Sequence, residues 1–350
     1  MRALGRTSRA ICFCSVVLGA LVLPAAQAKN APQVEMVILA EQNPSTSTLG
    51  RKWGDFLTGL GVGNLQIRAP HPGEKIGIEV RGTKDLPSYR VTGKLADTEL
   101  IVPGGKFTLA DRATIGKWLS ELGENGVAGV TEKKGAFGLL AKQLADARDG
   151  LAQPIGFQTK GMSAPDTIDK IRGQLNYKLT IDEAAAKSLA DDNPVRDELN
   201  GLSAGTALAA IARPAGAILQ PRKSANGDVE YVLAKAMAGD ESWPIGWPPE
   251  KSDVKVVPQL LDTLNVEIRD TPASQAIDAI QARMKLPFLY DYNSILKQRI
   301  DLAKKVTIPP AKKAYYATVL GQVLFQVRLK YSLRVDEAGK PLMWITTLKP

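Results

Sequence analysis

One histidine, His71, and two cysteines, Cys12 and Cys14, supply all the imidazole and thiol chemistry in 350 residues. Both cysteines fall in an N-terminal stretch that reads as a cleavable signal peptide, residues 1–28. Arg2, Arg6 and Arg9 give it a basic start, Ile11 to Leu23 an apolar middle, and Ala26-Gln27-Ala28 a small-residue cleavage pattern. Its removal leaves a chain without thiols, which excludes disulfides, thiolate-held metals and a cysteine nucleophile. Neither cysteine stands at the cleavage point, so a lipidated cysteine anchor is not expected either. Long apolar runs are also missing. Ile11 to Leu23 is shorter than the roughly 20 residues of a bilayer span, and the mature chain is expected to have no transmembrane span. A periplasmic or extracellular location follows from the export signal.

Clustered charge is missing as well. The formal charge of +9 falls to +6 when the three arginines of the leader are lost. The remaining basic residues are scattered, so no nucleic-acid footprint is expected. An anionic polymer, glycan or lipid headgroup remains compatible with the balance.

What the chain does have is an internal repeat. Val266 to Asp291 reads as a short alternating strand, a Thr-Pro helix start, an apolar helical stripe and a second strand. At an offset of 109, Phe157 to Asp182 carries the same pattern. Ile168 and Ile171 fall on Ile277 and Ile280, Asp169 on Asp278, and Asp182 on Asp291. The later parts align at an offset of 112, which places Thr206, Leu208 and Ile211 on Thr318, Leu320 and Val323. A loop absorbs the three-residue difference.

The expected class is therefore α+β: an N-terminal α+β domain over residues 34–126, then two tandem small βαββαββ modules at 151–238 and 261–350. A connecting helix, expected from Ala136 to Arg148, lies in the 127–150 segment. In the first module, strands are expected at Ile155 to Thr159, Tyr177 to Ile181 and Val195 to Leu199, with Asn226-Gly227 as a hairpin turn. In the second, Pro272 opens a helix, and Lys304 to Ile308 is a strand. The 239–260 linker contains Trp243-Pro244-Ile245-Gly246-Trp247-Pro248-Pro249. Such a run is stiff and extended. Trp243 and Trp247 either pack on the flanking modules or serve as contacts for a partner or sugar.

Candidate chemistry is sparse. Gly201-Leu202-Ser203-Ala204-Gly205 fits the nucleophile-elbow spacing, but its base would have to be His71, which lies 132 residues upstream of Ser203. The alternative is that Ser203 caps the helix it precedes, its hydroxyl bonding an exposed amide. His71 itself sits in a Pro-His-Pro-Gly turn, where an exposed loop role is expected. Pro103-Gly104-Gly105-Lys106 lacks the phosphate-loop spacing, and no cofactor or metal site is expected. The pairs Asp191-Asp192, Asp240-Glu241 and Asp336-Glu337 flank turns, where solvated acids are common. As a rival, one pair would serve a glycosidase. Asp169 and Asp278 fall on helix flanks beside the buried stripe, as solvated charges.

The second repeat resembles the short N-terminal domain of secretins and TonB-dependent receptors. Its matching residues are Val266-Glu267-Ile268-Arg269-Asp270-Thr271-Pro272, Ala276-Ile277-Asp278-Ala279-Ile280, Lys305-Val306-Thr307-Ile308 and Leu329-Lys330-Tyr331-Ser332-Leu333-Arg334-Val335. The resemblance implies an extracytoplasmic interaction module. No pore, plug or barrel follows, so secretion and iron uptake are not carried over. The expected function is a non-enzymatic protein-interaction scaffold or adaptor of the cell envelope, with an envelope protein as partner and exposed strand edges as docking surfaces. The alternatives are a carboxylate-dependent envelope glycan hydrolase and a binder of envelope polymers or membrane surfaces.

Overall fold

A computed structural model describes residues 33–41, 44–83, 86–190, 194–223 and 229–348. The leader, the Asp191-Asp192 pair and the Asn226-Gly227 turn lie outside the described residues. The chain is α+β and divides into two compact units, Met1–Gly123 and Glu124–Pro350. Among the described residues no helix is long and apolar enough to cross a membrane.

The first unit runs β1 (Val34–Leu39), α1 (Pro44–Thr58), β2 (Asn64–Arg68), β3 (Gly77–Gly82), β4 (Pro87–Ala96), β5 (Glu99–Val102) and β6 (Gly105–Phe107). It ends in the first turns of α2 (Arg112–Thr131). Its sheet has the order β2-β1-β4-β5-β6, with β3 on β4. β1 pairs in parallel with β2 and β4 and is buried on both faces, from Met36 to Leu39. That explains the unbroken apolar run Met36-Val37-Ile38-Leu39 in place of alternation. Trp53 and Leu57 of α1 and Ile115 and Leu122 of α2 are fully buried. The Asp111 carboxylate, just before α2, turns back to accept the Thr108 N–H and hydroxyl, both at 2.7 Å.

The second unit contains both repeats and the segments flanking them. It continues with α3 (Ala141–Gly150), α4 (Ala164–Arg172), β7 (Leu179–Ile181), α5 (Glu183–Leu189), α6 (Ala204–Ala212), β8 (Ala217–Lys223) and β9 (Val229–Lys235). Beyond the linker come α7 (Asp253–Val256), β10 (Thr263–Pro272), α8 (Ala273–Met284), β11 (Phe288–Tyr290) and α9 (Tyr292–Lys297). The chain closes with β12 (Lys305–Tyr315), α10 (Tyr316–Gln326), β13 (Leu329–Val335) and β14 (Pro341–Thr347). The repeat is plain in the sheets: β7-β9-β8 and β11-β14-β13 share one order, parallel in the first pair and antiparallel in the second. Ile168, Ile171, Ile277 and Ile280 are all core residues.

Several elements differ from the expected order. Each repeat holds a third, short helix, α5 or α9, after its first parallel strand. The connecting helix starts only at Ala141, because a 3₁₀ turn at Ala136–Gly138 and an extended Leu139 precede it. Its start is fixed by the Gln143 side chain, which accepts the Leu140 N–H at 3.0 Å. The α2 helix runs past the expected domain boundary at residue 126, broken at Gly126 where φ is 65°.

Ile155 to Thr159 and Val195 to Leu199 are extended but form no ladder. They meet by isolated bridges, Pro154 to Ser203 and Ser163 to Pro194. The bonds are reciprocal: Ile155 N–H to Leu202 carbonyl and Val195 N–H to Met162 carbonyl are both 2.8 Å, and Gly201 and Gly161 answer at 2.7 and 2.8 Å. This pseudo-twofold relates Pro154–Ala164 to Pro194–Ala204, a 40-residue echo within the first repeat. Crossing segments exchange a few bonds where parallel neighbours would share a ladder. In the second repeat the counterparts, β10 and β12, do form an antiparallel ladder, irregular in three places.

Side chains complete the bonding of the crossing. Thr159 is fully buried; its hydroxyl oxygen accepts the Leu199 N–H at 2.8 Å and its own N–H reaches Glu198 at 3.0 Å. Replacing Thr159 by the isosteric valine strands a buried Leu199 N–H. Thr159→Val is expected to cost about 1–3 kcal/mol, read as a shift of the urea midpoint with unchanged slope.

Candidate functional site

Three sequence candidates, Ser203, the Asp336-Glu337 pair and Trp243, converge on one place, the N-terminus of α6. This helix is apolar nearly all round, with every residue from Ala204 to Ala212 except Ala210 buried. A buried helix start cannot leave its first N–H groups to water, so each must find an acceptor inside the protein. Ser203 has N-cap geometry, but its hydroxyl makes no bond to the helix backbone. It donates instead to the Glu337 carboxylate, and the Glu337 N–H returns a bond to Ser203 Oγ at 3.1 Å. Glu337 Oε2 takes the capping position, accepting the Thr206 N–H at 3.1 Å and the Thr206 hydroxyl at 2.9 Å.

The remaining donors are accounted for. The Ser203 N–H bonds Asp336 Oδ2 at 2.9 Å. Those of Ala204 and Gly205 bond the Gln153 and Leu151 carbonyls at 2.8 and 3.1 Å. Asp336 also accepts the Ala338 and Lys340 N–H groups of its own turn, at 3.0 and 2.7 Å.

The G-x-S-x-G spacing therefore has a structural cause. Gly201 sits at φ +78°, the left-handed region that favours glycine. A Cβ on Gly205 would lie 2.6 Å from Glu337 Oε1 and 2.9 Å from Leu151 Cβ. Ser203 faces a carboxylate rather than an imidazole; His71 lies in an exposed turn, where its backbone N–H bonds Glu74 at 3.1 Å. The expectation that Asp336 and Glu337 are solvated is overturned: they are 0% and 8% exposed. In the other described pair, Asp240 accepts the Met237 N–H at 3.0 Å, and Glu241 accepts that of Phe137. Asp169 is an exposed partner of Arg172, and Asp278 is exposed.

The linker tryptophans belong to the same assembly. Trp243 Nε1 donates to Glu337 Oε1 at 2.6 Å, and its ring stacks on Phe137 at 5.8 Å. At 1% exposure Trp243 offers a partner almost no surface; it is a core residue, not an open contact. Trp247 is half-buried and packs edge-on against Trp243 at 5.3 Å, with Arg148 over its ring at 5.0 Å. The linker backbone covers two strand edges. Trp243 N–H bonds Leu219 of β8 at 2.8 Å, while Trp247 exchanges bonds of 2.6 and 2.9 Å with Val335 of β13.

A second junction of the repeats frames a groove with a largely apolar lining, about 120 Å³ in volume. Its walls include Leu189, Pro194, Val195 and Ile211 from the first repeat and Tyr292 and Leu296 from the second. At its edge Asp197 accepts the Tyr292 hydroxyl at 2.5 Å and the Tyr290 N–H at 3.2 Å. Arg196 lies over the Tyr292 ring at 5.0 Å. Nearby, Arg213 forms a two-point pair with Asp291, both bonds 3.1 Å.

The two acids titrate differently. Burial pushes Asp197 up to about 6, outweighing the Tyr292 and Tyr290 bonds and the Lys160 and Arg196 charges. Burial acts the same way on Asp291, but there the Arg213 and Ser294 bonds prevail and hold the carboxyl below its usual range.

Neither Arg196, Asp197, Tyr292 nor Leu296 was picked out from sequence. The available signal was the 40-residue echo, which aligns Arg196-Asp197 with Gly156-Phe157 and marks a polar replacement in an otherwise similar crossing. No protein-family model, curated protein or solved structure matches the chain.

Two expectations follow. Glu337→Ala strands the Ser203, Thr206 and Trp243 donors and is expected to destabilise the second unit by about 3 kcal/mol or more. Gly205→Ala, which crowds the same carboxylate, shifts thermal unfolding in the same direction. Asp197 has the opposite sign. The native group takes up its proton near pH 6, whereas an unfolded aspartate waits until about 3.9. Stability from this group thus rises as pH falls through that window and is lost above it. Asp197→Asn can still accept the Tyr290 N–H and donate to the Tyr292 oxygen. It is expected to melt higher than the wild type at pH 7.5, with the difference closing by pH 4.5 in a paired melting series.

Proposed function

We propose that this chain is an exported, non-enzymatic protein-interaction scaffold of the cell envelope, built on two tandem modules of the secretin and TonB-receptor N-terminal type. The observation that carries this reading is the apolar-lined groove between the repeats. Leu296 is 63% exposed at its rim, beside a polar edge formed by Arg196 and Asp197. Such a groove fits an apolar side chain of a protein partner, with the rim charges setting orientation.

Strand addition, the docking mode first expected, has less support at β8 and β13, since the linker occupies part of both edges. β12 is guarded by Pro309-Pro310 and Lys312-Lys313, and its pairing with β10 is irregular; these are devices that discourage strand pairing. Export rests on the leader composition, and the scaffold role on a groove whose neighbouring carboxylates are engaged in structural bonds.

A photo-crosslinking residue at Leu296 tests the proposal, with the same residue at Met237, 73% exposed, as control. In cells of the native host, position 296 is expected to give a discrete protein adduct that position 237 does not. Adducts to glycan alone, or identical adducts from both positions, would overturn it.

A further inference from the structure

The two repeats share a fold but not a charge. Residues 151–238 hold 10 Lys and Arg and 10 Asp and Glu, whereas 261–350 hold 14 against 8. Three of those eight acids, Asp291, Asp336 and Glu337, are buried. The second repeat therefore presents an excess of positive charge that the first does not.

That charge meets exposed apolar side chains at the C-terminal end of α10. Phe325 is 67% exposed and Leu348 37%. They are tied together through Arg328, whose N–H bonds the Phe325 carbonyl and whose carbonyl accepts the Leu348 N–H, both at 3.0 Å. Lys304 Nζ bonds the Gln326 carbonyl at 2.8 Å, and Lys305 follows it, exposed. The nearby Asp301 accepts the Ala303 N–H of its own loop at 2.8 Å. None of Lys304, Lys305 and Arg328 forms an ion pair with a described carboxylate.

We propose that this face of the second repeat docks on an anionic phospholipid bilayer, with Phe325 and Leu348 entering the interface and Lys304, Lys305 and Arg328 meeting the headgroups. Charge complementarity selects an anionic surface. A large exposed phenylalanine among the cations selects a bilayer over a soluble polyanion, because only the bilayer rewards burying the ring. This surface is distinct from the groove, and the proposal does not depend on the scaffold reading.

Cosedimentation with vesicles tests it. The chain from Lys29 onward is used, since the apolar leader would itself partition into lipid. It is expected to sediment with mixed phosphatidylglycerol and phosphatidylcholine vesicles and to stay in solution with phosphatidylcholine alone. Lys305→Glu with Arg328→Asn is expected to weaken binding about 25-fold or more, at about fivefold per lost cation; asparagine suits the left-handed backbone at Arg328, where φ is 61°. Phe325→Ser is expected to weaken it about fivefold to tenfold without changing the melting temperature. Lys235→Glu on the first repeat, also exposed, should bind as the wild type does. Four results would each overturn the proposal: no binding, equal binding to both vesicles, equal loss in the Lys235 control, or full binding by the Phe325 variant.

Discussion

The second unit depends on one carboxylate. Helix α6 is too apolar to start in water, so its N-terminus must be closed from within the protein. Glu337 closes it from the turn between β13 and β14, 131 residues away from Thr206. A negative charge there also meets the positive end of the helix dipole. The consequences spread outward. Gly205 cannot carry a side chain, and Ser203 is committed to Glu337. The second carboxylate oxygen fixes Trp243, which in turn supports Trp247 against β13. A linker that composition alone would call a spacer thus becomes part of the core.

The same dependence explains which features were legible in sequence. The 109-residue repeat and the buried isoleucines follow from period and spacing, which are local properties, and the α+β class comes with them. The fate of Asp336-Glu337 is not local. A turn flanked by acids looks solvated until the element that covers it is known, and that element lies in the other repeat. The Gly201-to-Gly205 motif shows a related ambiguity. Glycines spaced around a serine before a helix serve a nucleophile elbow and a tightly approached helix start equally well. Only the group facing the serine separates them, and here it is a carboxylate. The crossing segments of the first repeat read as strands because extended, alternating residues look alike whether they ladder or only cross. The 40-residue echo between Pro154 and Pro194 was readable, and it marks the crossing.

The two repeats differ at equivalent positions. Asp182 and Asp291 occupy the same place before a short helix, yet only Asp291 is buried and paired, and its cation, Arg213, comes from the other repeat. Asp197 stands where the 40-residue echo within the first repeat has Phe157, and it too reaches across, to Tyr290 and Tyr292. Both departures add bonds between the repeats. Leu289, Leu342 and Trp344 extend the join by packing into the core of the first repeat.

A join of this kind bears directly on binding. Two modules on a flexible linker would lose orientational freedom whenever a ligand engaged both, and that loss weakens affinity. Here the linker is pinned at Trp243 and Trp247, and carboxylates fix the modules at two further places, so the cost is met during folding. The groove at Leu296 and the basic face near Leu348 also lie close along the second repeat: Gln298, two residues after Leu296, bonds Thr347, the residue before Leu348, at 2.9 Å. Ligands at the two surfaces would therefore be held at a set separation. A partner recruited at the groove would experience the bilayer at the high local concentration that rigid tethering provides, with no requirement for the modules to move.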